Sequence, residues 1–346
     1  MNLVELSRPR VLTWHVHGSY LYYLAHTPCL FILPVKESRP EGYGGRGGNF
    51  AWPENVVEVP AEEIPDTDFD LILYQSKRNY VRDQFDILTP GQRKLPRIFL
   101  EHDPGLASPT DSRHVVDDPD ALLVHVTAFN DLMWDSGRTP TRVIEHGVTI
   151  PDGLVYSGEV ARGISVVNNL PKRGRRLGLD VFERVAEEVP IDLAGMGSEE
   201  LGGLGDIPHR ELLQREVDYR FFFNPIRYTS LGLSVIEAMM AGLPVVGLGT
   251  TEMTTVIENG VNGYVDTRVD RLIEHMQRLI ADPEEAARLG EQARIRAEER
   301  FSIDRFAEDW LDTFEEVASR GNYANQFAPA SAGRASNQTP AVKASR

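Results

Sequence analysis

Short apolar runs alternate with amphipathic stretches along most of the chain, and the alternation is played out twice. In the first half the runs are Val11–Val16, Leu30–Val35, Leu71–Tyr74, Ile98–Leu100, Leu122–Val126 and Val143–Ile144. In the second half they are Ile164–Val167, Ile191–Ala194, Phe221–Phe223 and Pro244–Leu248. Continuous apolar runs of this length suit strands covered on both faces, as in a parallel sheet. Between two of them, Leu177, Val181, Phe182, Val185 and Val189 fall at helical spacing. The pattern predicts an α/β chain of two doubly wound units, in keeping with the domain count that 346 residues suggest. Pro151–Arg162, with its Pro, Gly and Ser, reads as the hinge and divides the chain into domains 1–155 and 156–300.

The C-terminal part reads as helical: Arg268–Ala281, a second helix opened by Asp282-Pro283 and running to about Arg300, and Ile303–Val317. In the last of these, Phe306, Trp310 and Phe314 share one face, and residues 301–317 are expected to pack back on the first domain. Residues 318–346, rich in Ala, Ser, Asn and Gly, read as a disordered tail.

Charge narrows the partners. With 52 acidic and 36 basic residues the formal charge is −16, which argues against a nucleic-acid partner held through a broad basic face. The tail has basic residues at Arg320, Arg334, Lys343 and Arg346 and no acid, but no apolar anchor. It makes a poor contact for an anionic membrane, and any weak peripheral membrane contact is expected through the acceptor. The single cysteine, Cys29, rules out a disulfide framework and a thiolate zinc cluster, and fits a cytoplasmic protein. No apolar run is long enough to span a bilayer, and the first residues do not read as a secretory signal. The glycine-dense Gly42–Gly48 lacks the Lys-Ser/Thr of a P-loop and reads as a lid or plain loop rather than a phosphate cradle.

The segment Phe222–Val246 reads as strand, polar loop, helix, glycine stop and strand. The loop Thr229-Ser230-Leu231-Gly232-Leu233 ends where the helix begins, so its amides form an anion site for which a diphosphate is the natural occupant. Gly232 lets a ligand approach the backbone. Glu237, in the first turns of the helix, has two readings of equal standing from spacing alone. It completes a capping box with Ser234, or it accepts hydrogen bonds from the vicinal hydroxyls of a ribose.

Glu237-Ala-Met-Met-Ala-Gly-Leu-Pro-Val-Val246 and Thr251–Val265 resemble the donor-site signature of GT-B glycosyltransferases of family 4, the group 1 type. The resemblance extends over about residues 164–317 and is looser before them. It implies a GT-B architecture of two Rossmann-like domains facing a cleft, and it favours ribose binding for Glu237. The family's first glutamate, which meets the donor sugar, falls here on Thr229, a residue without charge.

Pro171-Lys172-Arg173-Gly174-Arg175-Arg176 concentrates four cations before the helix from Leu177, where they oppose the helix dipole. A diphosphate would repay that cost. The resemblance singles out Arg173, with Lys172 or Arg175 as substitutes, while Asn168-Asn169-Leu170 stands where the family has Gly-Arg-Leu. Gly195-Met196-Gly197 reads equally as a turn or a ligand loop, and Thr250–Thr254 offers a second set of hydroxyls.

Three histidines stand at the carboxyl ends of expected strands, where open α/β sheets bind ligands: His15, His17 and His102. The resemblance makes His102 the catalytic candidate facing the donor sugar and brings Gly18 close to the phosphate. His15 and His17 would lie on opposite sides of a strand, so no metal site is expected. His146, in Glu145-His146-Gly147-Val148, stands at a turn near the domain junction.

The resemblance implies an enzyme that moves a sugar from a nucleotide diphosphosugar to an acceptor hydroxyl with retention of configuration. The nucleotide sugar is a co-substrate, and no cofactor or metal is expected. Asp66-Thr-Asp68 lies in an acidic surface stretch and does not read as a metal holder. The rival readings are an epimerase or phosphorylase on the same architecture, and a non-catalytic nucleotide-sugar-binding partner of another transferase. The last is motivated by Thr229 and Asn169.

Overall fold

The computed structural model describes residues 8–16, 18–48 and 50–326, with the side chains of 320–326 aside; His17 and residues 327–346 lie outside the described residues. The first sheet contains β1 (Arg10–Thr13), β2 (Leu30–Val35), β3 (Val56–Pro60), β4 (Leu71–Tyr74), β5 (Arg97–Glu101), β7 (Ala121–His125) and β9 (Thr141–Val143). Its order is β3-β2-β1-β4-β5-β7-β9 and every pairing is parallel. Two short strands, β6 (Ser112–Arg113) and β8 (Trp134–Asp135), form a separate ribbon. The second sheet, also all parallel, contains β10 (Val160–Val166), β11 (Ile191–Ala194), β12 (Tyr219–Asn224), β13 (Val245–Leu248) and β14 (Gly263–Asp266) in the order β11-β10-β12-β13-β14.

Buried apolar residues lie on both faces of each sheet, which is why the central strands are continuous apolar runs. One cluster reaches from Val11 and Leu73 of the first sheet through Phe306 and Trp310 to Val235 and Ile236 of the second unit. The two edge strands absent from the sequence reading, β3 and β14, are half-exposed and carry no such run. β1 is shorter than the apolar run Val11–Val16. It ends at Thr13, and His15 forms an isolated antiparallel bridge with Gly42 instead.

The helix expected from Leu177 starts at Leu179 and ends at Ala186. The chain turns at Gly178 in a left-handed conformation (φ 85°), and a Cβ there would lie 1.9 Å from the Pro225 carbonyl oxygen. Only glycine permits that approach, which presses the basic loop against the loop after β12. Helices Val269–Ala281 and Pro283–Arg300 follow, with Asp282 accepting a hydrogen bond from the Glu285 amide at 2.9 Å.

The last helix runs from Ile303 to Gln326. Residues 318–326 of the expected tail are therefore helical, because extending a helix already anchored by buried side chains costs little. The helix lies on the first domain: Trp310 Nε1 donates to Tyr20 Oη at 3.1 Å, Phe314 meets Phe31, and Arg142 Nη1 donates to Thr313 Oγ1 at 2.8 Å. Among the described residues no helix is long and apolar enough to cross a membrane.

Candidate functional site

In the second sheet the strand order reverses between β10 and β12, and open α/β sheets bind ligands at the carboxyl ends of such strands. The loops leaving those ends are residues 167–178 and 225–232. The second leads into the helix Leu233–Met240, whose N-cap is Gly232. Gly232 has φ −70°, open to any residue, and a Cβ there would meet its nearest neighbour, Ser234 Oγ, at an ordinary 3.7 Å. The fold does not itself require glycine, whereas a ligand approaching the backbone would.

Because Gly232 is the cap, Ser234 lies inside the helix and no capping box forms; Glu237 is buried in the second turn. Its carboxylate accepts from Tyr23 Oη at 2.7 Å and His209 Nε2 at 2.9 Å, both on Oε1. Among the described residues no hydrogen bond engages Oε2. The capping alternative therefore falls. Burial, with Glu237 second, raises the Tyr23 hydroxyl well above its ordinary range. Glu216, fully buried and close enough to feel Glu237, is pushed well above the usual carboxylate range, first by burial and then by that charge. Glu237 lines a cavity of about 420 Å³ that also takes in Gly18, Ser19 and Phe50 from the first domain and Asn168, Gly195, Leu233 and Ser234 from the second.

The four cations do not stand at the start of a long helix. Lys172 and Arg173 form the last turn of a short helix, Leu170–Arg173, and Arg175 and Arg176 lie in the following 3-10 turn, Gly174–Leu177. That placement agrees with the helix dipole, so the dipole does not argue against a purely structural role. The side chains differ sharply. Arg175 is paired with Asp180, which also binds Arg227. Among the described residues Lys172, Arg173 and Arg176 have no ion pair, and Arg176 Nη1 is buried without a hydrogen-bond partner. Burial, then repulsion from Arg176, lowers the Arg173 guanidinium, and Asp103 acts in the opposite sense. Arg176 is thus the cation that the sequence reading undervalued.

Gly195 (φ 117°) and Gly197 (φ 73°) turn the chain against β10: the Met196 amide donates to Asn168 Oδ1 at 2.9 Å. Gly195-Met196-Gly197 is thus a tight turn, and Gly195 and Met196 are also part of the cavity wall. Thr250–Thr254 serves a different purpose. Buried Glu252 accepts from the Phe129 amide of the first domain at 3.0 Å and from Arg300.

In the first domain, Gly18 opens a helix, Gly18–Leu24, and lies beside the His15 ring. His102 follows β5 with its ring edge-on to Tyr20 at 4.8 Å, and Tyr20 also meets His146. His102 lines a second cavity of about 300 Å³ with Ser76, Lys77 and Asp103; it does not share the cavity of Glu237. Thr229 Oγ1 donates to Asp103 Oδ1 at 3.1 Å, and Ser230 is half-buried beside it. His146 Nε2 donates to the Leu231 carbonyl at 3.0 Å, and burial pushes its pKa down to about 4. The glycine-dense loop is anchored, not free: Gly44 bridges Val35, and the Arg46 amide donates to Glu58 Oε1 at 2.7 Å. Among the described residues, no three His, Cys, Asp or Glu side chains converge as a metal-holding group.

Residues 204–296, which contain Thr229, Gly232 and Glu237, match the family model described as Glycosyl transferases group 1. This segment belongs to that family. The chain is 31% identical over 102 residues to a sucrose synthase of Denitrovibrio acetiphilus, covering 28% of this chain and 13% of that protein. It is 35% identical over 82 residues to spore coat protein SA of Bacillus subtilis, covering 23% and 22%. The matches thus span less than a quarter of these curated relatives. Among solved structures, sucrose-phosphate synthase of Thermosynechococcus elongatus aligns over 90% of this chain and 100% of its own at 16% identity, with a TM-score of 0.66. HepE of Anabaena, solved with UDP-glucose, aligns over 89% and 100% at 14% identity, with a TM-score of 0.62. The fold around the glycosyltransferase segment is GT-B.

Proposed function

We propose that the protein is a glycosyltransferase that moves a sugar from a nucleotide diphosphosugar to an acceptor hydroxyl. The observation that carries the proposal is Glu237: a buried carboxylate on the wall of an interdomain cavity, with one oxygen left for a ligand, inside a group 1 glycosyltransferase segment. In this reading Glu237 takes the ribose hydroxyls. The diphosphate lies between the amides that open the helix Leu233–Met240 and the cations Arg173 and Arg176, with Lys172 at the exposed rim. As the glycosidic bond breaks, negative charge grows on the diphosphate, and these fixed dipoles and cations stabilise it where it forms. The first domain offers the acceptor side, through a cavity of about 600 Å³ lined by Arg39, Arg46, Phe50 and Trp52. Retention of configuration, independence of metal and a cytoplasmic location belong to the same proposal.

The test is a thermal-shift and turnover screen with UDP-glucose, GDP-mannose and ADP-glucose, repeated with Glu237→Gln and Glu237→Ala. The proposal expects a shift with one nucleotide sugar that both variants diminish. No shift with any nucleotide, or an undiminished shift in both variants, contradicts it.

A further inference from the structure

We propose that Asp103 is the carboxylate that holds hydroxyls of the donor's sugar, oriented by Thr229 from across the cleft. The proposal rests on the donor-site reading above and deepens it by naming a second ligand group, on the other domain.

Thr229 lies in the loop that opens the helix Leu233–Met240, so it stands at the diphosphate end of the site. A threonine hydroxyl there offers hydrogen bonds but no charge. Its Oγ1 instead donates to Asp103 Oδ1 at 3.1 Å, from a residue 126 positions away in the chain. The backbone of Asp103 is held on two sides: its amide donates to Glu101 Oε1 at 3.0 Å and Trp134 Nε1 donates to its carbonyl at 2.9 Å, while Tyr228 Oη donates to the carbonyl of Gly105, two residues on, at 3.2 Å.

Among the described residues no basic side chain lies within ion-pair distance of Asp103, yet its field reaches Arg173. The carboxylate thus lies near the cations assigned to the diphosphate without being paired to one of them. On its other side it lines the cavity of about 300 Å³ shared with His102, Ser76 and Lys77 at the carboxyl ends of β4 and β5. A carboxylate between a diphosphate cradle and a cavity suits a ligand that carries vicinal hydroxyls next to a diphosphate, which is a hexose of a nucleotide sugar. Thr229 fixes one oxygen of Asp103 and so aims the carboxylate.

The experiment compares wild type, Asp103→Asn, Thr229→Val and the double variant Asp103→Asn/Thr229→Glu by calorimetric titration. The probes are UDP-glucose, GDP-mannose and ADP-glucose, each beside its free nucleoside diphosphate. Asp103→Asn is expected to weaken the preferred nucleotide sugar by about tenfold or more while the free diphosphate changes by less than about threefold. Thr229→Val weakens it in the same selective way but less. Thr229→Glu in the Asp103→Asn background, which puts a carboxylate back from the other domain, restores part of the loss.

Equal losses for the sugar nucleotide and the free diphosphate would make Asp103 a strut and overturn the proposal. So would unchanged affinity, or no recovery in the double variant. Should Asp103→Asn not fold, Thr229→Val decides alone, and unselective or unchanged affinity overturns the assignment. If wild type binds the free diphosphates and sugars but Asp103→Asn matches it, only this inference fails; if wild type binds none, the donor site itself is refuted.

Discussion

Glu237 joins local sequence to the cleft. Two partners separated from it by 214 and 28 positions, Tyr23 and His209, converge on one of its oxygens. Glu237→Gln keeps an oxygen for both donors. It is expected to cost stability no more than about 1–2 kcal/mol while cutting nucleotide-diphosphate affinity by about tenfold or more; denaturant titration and calorimetry read the two effects separately. The residue was legible as a site candidate from its place in the first turns of the helix and from the resemblance of Glu237–Val246 to the family's donor-site signature. Its environment was not, since no local pattern in the sequence pairs a tyrosine on the first domain with a carboxylate on the second. The same holds for Asp103, whose only local signal was its position one residue after His102 at a strand end. Gly195 makes a complementary case. A Cβ there would lie 2.8 Å from Asn168 Oδ1 and 3.0 Å from the Val167 oxygen, at φ 117°. Gly195→Ala should lower unfolding free energy by about 1–3 kcal/mol, seen as a lower denaturant midpoint.

Among elements, the loops carry the chemistry and the strands place it. The central strands could be read from composition because burial on both faces leaves only apolar choices, as in Phe221-Phe222-Phe223. β3 and β14 escaped because an edge strand has one side open and tolerates Glu58 or Asp266. The basic loop was legible as a cluster, but which of its members is free was decided by Asp180, a partner that sequence spacing does not select. The loop Leu231–Leu233 is tied to the first domain by His146, buried and neutral. Its pKa of about 4 in the fold lies below the ordinary histidine value, so the unfolded chain binds the extra proton first as pH falls. The His146 contribution is complete above the unfolded value of 6.5 and declines toward pH 4. Glu216, with its raised pKa, works in the opposite sense, so the effect must be read as a difference. Relative to His146→Gln, which keeps an N–H for the Leu231 carbonyl, wild type should lose on the order of 3 kcal/mol of stability across that window. Parallel unfolding curves at several pH values check this.

At the scale of the whole molecule, the two α/β units are joined by the last helix and by the apolar cluster that runs through it. Trp310 is fully buried and reaches Tyr20, whose ring touches both His102 and His146. Trp310→Ala should therefore cost about 3–5 kcal/mol of unfolding free energy, again read from a denaturant midpoint. The net charge of −16 acquires a physical setting here. Among the described residues Lys172, Arg173 and Arg176 form a local group of cations without ion pairs within this acidic chain, and the proposal assigns them one diphosphate. The most direct test of that claim is calorimetric titration of purified wild type and Glu237→Gln with UDP-glucose, GDP-mannose and ADP-glucose, followed by measurement of sugar transfer. One nucleotide sugar should bind wild type, bind Glu237→Gln about tenfold or more weakly, and release its nucleoside diphosphate as the sugar reaches an acceptor. Absence of binding with all three, or equal binding by both proteins, would contradict the account.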